Sequence, residues 1–246
     1  RRLPARILHS MEPIPFLRAV QQRVAAVRGF SLVEMLVVLS IIVVVTLIAV
    51  MGQSTFNRSL LLTDTTYTIA FSVREAQTLG LSSRISGSVY GAGYGVRFST
   101  LTPTSYILFA DTSPAAPGST QSGLCLGHTQ PSTSPESHPG NCIYDQSATP
   151  AELVRTYSLS RGFNIYKFCG SALVGGALRC STTGDFETMH ITFMRPSTDT
   201  IIFGRTTSGT LLALRDAKIY LRSPDGLAER CVVVSKVGQV AVTDCL

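Results

Sequence analysis

The chain has 246 residues, 45% hydrophobic and 15% charged, which suits one membrane anchor and one folded domain. Of its 21 basic and 15 acidic residues, six arginines and one acid lie in residues 1 to 29, which leaves 15 basic and 14 acidic residues beyond. The N-terminal segment therefore carries +5 of the net charge of +6. The rest of the chain, at +1, lacks the broad positive charge typical of nucleic-acid-binding proteins.

An apolar run of 22 residues extends from Phe30 to Met51, and Glu34 is its only charged residue. As a helix it would be roughly 33 Å long, which matches a bilayer core of about 30 Å. Three arginines precede the run closely, so the positive-inside rule predicts a cytoplasmic N-terminus and an extracytoplasmic remainder: Arg18, Arg23 and Arg28.

Glu34 separates this run from two simpler kinds of membrane segment. A secretory signal peptide has a shorter apolar region and a small-residue cleavage site, which is not evident after Met51. A plain signal anchor would explain the length and orientation of the run, but not its carboxylate. Because a carboxylate at mid-bilayer costs about 2.5 to 3.5 kcal/mol, Glu34 is expected to have a functional partner.

The segment Arg28 to Leu39 reads Arg-Gly-Phe-Ser-Leu-Val-Glu-Met-Leu-Val-Val-Leu. It resembles the processing and assembly motif of type IV prepilins and type II secretion pseudopilins. The resemblance implies that prepilin peptidase cuts after Gly29 and methylates the new terminal amine of Phe30. It also implies that Glu34 then neutralises the terminal amine of a neighbouring subunit in a filament.

The same resemblance divides the N-terminal part of the chain. Residues 1–29 would form a cytoplasmic leader, 30–52 a transmembrane helix and 53–83 its amphipathic continuation. Since Met11 would open a 19-residue leader, we expect residues 1 to 10 to lie upstream of the true start.

Helical spacing supports the amphipathic continuation through a stripe of residues expected to face the head: Leu62, Thr66, Ile69, Val73 and Ala76. Phe71 lies away from this stripe and would either pack against another subunit or be an aromatic partly covered by its own domain. Gly80 and Gly87 are expected to let the chain leave the helix.

Residues 84–246 predict an antiparallel, β-rich extracytoplasmic head, which makes the whole chain an α+β, pilin-like fold. Nine strands are predicted from β-branched and aromatic runs between turn residues: 94–99, 105–110, 154–159, 163–169, 189–195, 200–204, 217–222, 231–235 and 240–243. The C-terminal part resembles the GspH/FimT-like heads of minor pseudopilins. A Pro- and Ser-rich insertion at 112–150, with six of the 12 prolines, is expected to be an exposed excursion.

The six cysteines fall into three local pairs, which predict the disulfides Cys125–Cys142, Cys169–Cys180 and Cys231–Cys245. The last pair would face each other across a hairpin with a three-residue loop at Val237–Gln239. Zinc is the alternative for a different set with suitable spacing: Cys125, His128, His138 and Cys142. An oxidising compartment favours disulfides, so no metal is predicted.

The sequence contains no recognisable catalytic or nucleotide-binding motif, so we expect no enzyme activity and no cofactor. His190 lies within a predicted strand and is expected to be structural. The protein is expected to be a structural subunit, a minor pilin or pseudopilin, of a type IV pilus or type II secretion filament. Its expected partners are prepilin peptidase, other pilin or pseudopilin subunits, the inner-membrane assembly platform and the lipid bilayer.

Two other functions compete with the structural one. The first is a DNA-uptake or adhesive minor pilin, for which DNA binding would need a local cationic patch: Arg155, Arg161, Lys167 and Arg179. The second is a membrane-tethered enzyme, which a polar cleft with convergent titratable groups would favour.

Overall fold

A computed structural model describes residues 29–82, 85–86, 89–113, 125, 140–149, 151–195 and 197–245. The leader up to residue 28 therefore lies outside the described residues. The chain forms two compact units, Arg1–Gln53 and Ser54–Leu246. Helix α1, Leu32–Leu81, contributes residues to both units, and each unit is described by itself.

In the first unit, helix α1 is apolar on every side. Each large apolar side chain from Phe30 to Val50 is at least 44% exposed. No face of this part of the helix is therefore buried against the described residues of its own chain. The stretch Leu32–Val50 is long and apolar enough to cross a membrane, by length and composition.

The described part of the second unit contains thirteen strands: β1 Ile85–Ser86, β2 Val89–Tyr90, β3 Gly93–Ser99, β4 Ser105–Asp111, β5 Leu153–Ser158, β6 Asn164–Ser171, β7 Leu178–Cys180, β8 Thr188–Phe193, β9 Thr200–Arg205, β10 Leu211–Leu214, β11 Asp216–Arg222, β12 Glu229–Ser235 and β13 Val240–Thr243. They form a two-stranded ribbon, β1-β2, a six-stranded sheet, β10-β9-β8-β3-β4-β5, and a five-stranded sheet, β13-β12-β11-β6-β7. All strand pairs are antiparallel. The predicted α+β class is confirmed.

The predicted stripe on the helix is buried in the head. All five of its residues are at most 1% exposed: Leu62, Thr66, Ile69, Val73 and Ala76. The apolar members share one core with both large sheets, through residues such as Phe98 and Met189 on one sheet and Phe168 and Ile219 on the other. Spacing of three and four residues places these side chains on one helix face, and burying that face holds the helix on the sheets.

Gly80 has a packing role that was not predicted. It lies inside helix α1, where a Cβ would collide with the backbone carbonyl of Phe193. The missing side chain therefore lets the helix approach strand β8 closely. The helix ends at the next residue, Leu81, so the chain leaves it next to Gly80, as expected. Gly87 lies outside the described residues.

The insertion is not simply an exposed excursion, because several of its described residues are buried, although residues 146, 147 and 149 are exposed. The buried positions include its first residue, the isolated described cysteine and the start of the described stretch 140–149: Thr112, Cys125, Asn141, Cys142 and Ile143. Cys125, Cys142 and Ile143 pack with Met194, which follows β8, and with Phe203 on β9 of the six-stranded sheet. Composition predicted exposure, but a second apolar cluster beneath these residues overrides it. Residues 114–124 and 126–139 lie outside the described part.

Two buried carboxylates attach the insertion to the sheet. Asp111 accepts hydrogen bonds from the backbone N–H groups of Asn141 at 2.8 Å and Cys142 at 2.6 Å. Glu152 accepts from the N–H groups of Thr112 at 3.1 Å and Ser113 at 2.9 Å. These carboxylates satisfy buried backbone donors that no strand partner reaches.

The cysteines are joined in the three predicted pairs, Cys125–Cys142, Cys169–Cys180 and Cys231–Cys245. Cys169 on β6 and Cys180 on β7 lie directly opposite each other in the strand pair. The bond between Cys125 and Cys142 leaves neither of them as a thiolate for zinc. His128 and His138, the other residues of that alternative, lie outside the described part.

The C-terminal hairpin differs from the prediction by its register. Cys231 pairs with Thr243, and the ladder continues to Val234 opposite Val240, so Cys231 and Cys245 do not face each other directly. Ser235 donates its N–H to the Gln239 carbonyl at 3.0 Å, which leaves a three-residue loop at positions 236–238 instead of 237–239. Gly238 is the last residue of this loop and has a φ of 79°. This left-handed conformation favours glycine, whereas the predicted loop would have ended at Gln239.

Candidate functional site

The N-terminus of helix α1 is capped by Ser31. Its hydroxyl oxygen accepts the N–H of Glu34 at 3.1 Å, and its carbonyl accepts the N–H of Met35 at 3.1 Å. This is one half of a capping box, whose signature is the spacing Ser-x-x-Glu. We did not predict this role for Ser31, although the spacing is visible in the sequence. The cap starts the helix two residues after Phe30, whose side chain is 75% exposed.

Glu34 lies in the first turn of the helix, the end at which the helix dipole favours negative charge. No described residue of the chain donates a hydrogen bond to its carboxylate or forms an ion pair with it. The side chain is surrounded along the helix by exposed apolar residues. A carboxylate in this setting needs a cationic partner from elsewhere when water is removed.

The hydroxyl groups of the apolar stretch are satisfied within the helix. Ser40 donates to the Val37 carbonyl at 2.7 Å, and Thr46 donates to the carbonyls of Ile42 and Val43 at 2.8 and 2.9 Å. Such bonds remove the need for water, so these hydroxyls are compatible with a lipid or protein environment. Glu34 remains the one charged group of the stretch.

In the head, helix α1 also presents an exposed aromatic face. Phe71 is 63% exposed and Tyr67, one turn earlier, is 49% exposed. The prediction that Phe71 points away from the buried stripe is confirmed. Its own domain covers Phe71 only in part, as the alternative interpretation expects, and packing against another subunit stays a prediction.

A polar pocket of about 410 Å³ lies in the head, over the six-stranded sheet. It brings together the kinds of groups that the enzyme alternative requires: Arg97, Tyr144, Asp145, Glu187, His190 and Arg205. Its only imidazole is engaged on both nitrogens. His190 Nδ1 accepts the N–H of Tyr144 at 3.0 Å, so Nε2 carries the proton and donates to Thr188 Oγ1 at 3.0 Å.

His190 is buried and is unsuited to proton transfer. Burial lowers the pKa of His190 from 6.5 to about 3, with a further contribution from the nearby guanidinium groups of Arg97 and Arg205. The histidine is therefore neutral at pH 7 with no free lone pair. The expectation that His190 is structural agrees with this geometry.

The depressed pKa of His190 predicts a loss of stability in acid. Because the unfolded chain binds the proton more tightly, the contribution is present above pH 6.5 and is lost as the pH falls toward 3. Between pH 7 and pH 4.5 the wild-type chain should lose about 2 to 3 kcal/mol more than His190→Asn. Urea unfolding of the detergent-solubilised full chain measures both, and parallel pH curves would contradict the prediction.

The cations that would form a DNA-binding patch lie on different strands and turns, and two of them are paired. Arg155 lies on β5, where it is 3.8 Å from Glu75, and Arg179 lies on β7, 3.0 Å from Asp185. Lys167, on β6, lies over the Tyr220 ring at 4.1 Å from its centroid. Arg161 lies in the turn between β5 and β6. Two of the four therefore already have a carboxylate partner.

Comparison with known proteins gives one match. A model of the prokaryotic N-terminal methylation motif matches residues 25–50. Nothing among the curated proteins or the solved structures matches the chain. The resemblance of the head to GspH/FimT-like proteins therefore stays a prediction.

The apolar helix and the methylation motif together fit a membrane-anchored pilin. More specifically, the motif is consistent with a type IV pilin or pseudopilin and supports a subunit of that kind. It includes Gly29, Phe30 and Glu34, so the match covers the segment whose cap and unpaired carboxylate are described above. Such a motif implies a substrate of prepilin peptidase that assembles with other pilins.

Proposed function

We propose that the chain is a minor pilin or pseudopilin that polymerises into a type IV pilus or type II secretion filament. Prepilin peptidase cuts the bond between Gly29 and Phe30 and methylates the new amine. The carboxylate of Glu34 in one subunit then pairs with the amine of Phe30 in its neighbour. The observation that carries this proposal is a carboxylate with no partner among the described residues, set in a helix apolar on every side.

The proposed topology places residues 1–29 in the cytoplasm, Leu32–Val50 in the inner membrane and the head outside. The three disulfides support an extracytoplasmic head, because thiols are kept reduced in the cytoplasm. The assembly platform of the inner membrane would then extract the helix from the bilayer into the filament. In that filament the exposed Tyr67 and Phe71 would meet neighbouring subunits.

We propose a non-enzymatic role without metal or cofactor. The polar pocket of the head does not favour an enzyme, because both nitrogens of its histidine are engaged in hydrogen bonds. DNA uptake or adhesion remains the alternative, but the pairing of Arg155 and Arg179 with carboxylates weakens the cationic patch that DNA would need.

The proposal is tested by recovering the protein from filaments sheared off cells. In cells with the complete assembly machinery, the chain should appear in the sheared fraction when prepilin peptidase is active. With an inactive peptidase, the same amount of protein should remain in the membrane. Recovery from the sheared fraction without peptidase activity, or absence from it with the active enzyme, would overturn the proposal.

A further inference from the structure

One end of the head combines exposed cations with an apolar pocket. The pocket has a volume of about 470 Å³ and lies where the first residues of the second unit meet two turns of the sheets: its lining residues are Arg58, Leu61, Arg161, Phe163, Pro224 and Asp225. All of them belong to the second unit. The function proposed above assigns no role to this end.

Two large leucines project into solvent at the same end. Leu227, two residues after the pocket residue Asp225, is 87% exposed, and Leu101 in the turn between β3 and β4 is 75% exposed. The Leu101 turn lies against the β5–β6 connection, because Leu159 donates its N–H to the Thr104 carbonyl at 2.7 Å. Apolar loop tips beside cations are typical of surfaces that enter a lipid interface.

The cations of the pocket are not fully compensated. Arg58 forms an ion pair with Asp225 at 2.6 Å, whereas no described residue forms a hydrogen bond or ion pair with Arg161. Arg161 also adopts a left-handed backbone conformation, with φ 61°, in a turn closed by Phe163 N–H to the Ser160 carbonyl. Glycine or asparagine is the favoured residue there, so arginine is held at a position that its own backbone preference disfavours.

The length of chain to the membrane span limits where this end can lie. The apolar stretch ends at Val50, and Arg58 follows eight positions later. Even a fully extended chain of eight residues reaches no more than roughly 29 Å. If Leu32–Val50 spans a bilayer, Arg58 therefore stays within that distance of its surface.

We propose that this end of the head contacts the bilayer, with the phosphate of an anionic phospholipid between Arg58 and Arg161 and with Leu101 and Leu227 in the headgroup layer. Anionic headgroups complement the uncompensated charge of Arg161, and the leucines gain by leaving water. This inference rests on the membrane span of the proposed function, but not on cleavage or polymerisation.

The absence of tryptophan from the sequence allows a direct test. Leu227→Trp places a single fluorophore at the proposed contact, and Val174→Trp is a matched control in the turn after β6, because both native side chains are 87% exposed. The full-length variants are placed in nanodiscs of phosphatidylcholine, with or without phosphatidylglycerol. Lipids carrying a headgroup-depth quencher report which tryptophan lies at the surface.

The tryptophan at 227 should be quenched several-fold more than that at 174, and more strongly with phosphatidylglycerol. Adding Arg161→Gly to the Leu227→Trp variant should lower the equilibrium constant for the lipid contact, measured from the quenching at 227, about five-fold in anionic nanodiscs. The reason is the loss of one basic residue at the membrane surface. Glycine suits the left-handed turn, so the Arg161→Gly variant should keep its fold. Arg215 is an exposed arginine outside the pocket, so Arg215→Gln should leave the quenching at 227 unchanged.

Equal quenching at 227 and 174, or quenching that depends on neither lipid charge nor Arg161, would overturn the lipid contact. A full-length chain that enters nanodiscs and shows this result leaves the proposed pilin function intact. A chain that does not enter nanodiscs overturns the membrane span, and with it both proposals.

Discussion

Replacing Glu34 with alanine is expected to remove the chain from filaments while leaving its amount in the membrane unchanged. Glu34 is the only charged residue between Phe30 and Met51, and it has no partner among the described residues of its own chain. In a polymer its carboxylate would be buried against the terminal amine of a neighbour. Removing one member of a buried ion pair costs about 3 to 5 kcal/mol, because the other charge stays buried and unpaired.

This cost corresponds to a decrease of at least about 100-fold in recovery from the sheared filament fraction. Glu34→Gln retains the shape of the side chain without its charge, and should fail as completely as alanine if the amine pairing is the cause. Asp64→Ala removes an exposed acid from the head portion of the same helix and should assemble normally. Normal incorporation of Glu34→Ala would contradict the role assigned to the carboxylate.

Asp111→Ala is expected to destabilise the head strongly. Asp111 is fully buried, and burial raises its pKa well above the usual value, although the N–H groups of Asn141 and Cys142 oppose this shift. Alanine would leave both buried donors without an acceptor. Each unsatisfied donor costs about 1 to 3 kcal/mol, so we expect a loss of about 2 to 4 kcal/mol in the free energy of unfolding.

Urea unfolding of the full-length protein in detergent measures this loss. Asp111→Asn keeps one acceptor and should lose less than alanine, and the exposed Asp199→Ala should change stability by no more than about 0.5 kcal/mol. The effect should also be local, with faster reduction of the Cys125–Cys142 disulfide than of Cys169–Cys180. A variant as stable as Asp199→Ala would show that the carboxylate does not hold the insertion.

Much of the sheet architecture could be predicted from the sequence because most strands carry β-branched and aromatic residues between turn residues. The last strand, Val240–Thr243, has its predicted bounds, and eight others differ by one or two residues at their ends. The four that were missed are short or lack such residues. Strand β10, with the sequence Leu-Leu-Ala-Leu, is strand only because it pairs with β9.

The buried residues of the insertion could not be predicted from composition. A Pro- and Ser-rich segment suggests solvent exposure, whereas Cys125 and Ile143 pack with Phe203 in a buried cluster. The backbone N–H of Cys142 is bound by the carboxylate of Asp111, 31 residues away in sequence. The register of the last hairpin depends on the positive φ of Gly238, which shifts the loop by one residue. These features are long-range or conformational, and a local pattern does not encode them.

The candidate site was predictable for a different reason. Gly29, Phe30 and Glu34 lie in a short contiguous motif, so their spacing is visible without knowledge of the fold. Ser31 could have been recognised from the same segment by its capping-box spacing to Glu34. The lipid-facing end proposed for the head had no such signal, because Arg58, Arg161 and Asp225 are brought together only by the packing of separate turns.

Mass spectrometry of the N-terminus tests the central claim most directly. Protein purified from cells that possess the complete assembly machinery should begin at Phe30, with one methyl group on its amine. A chain that begins upstream of Phe30, or whose terminal residue is unmodified in those cells, would contradict the account.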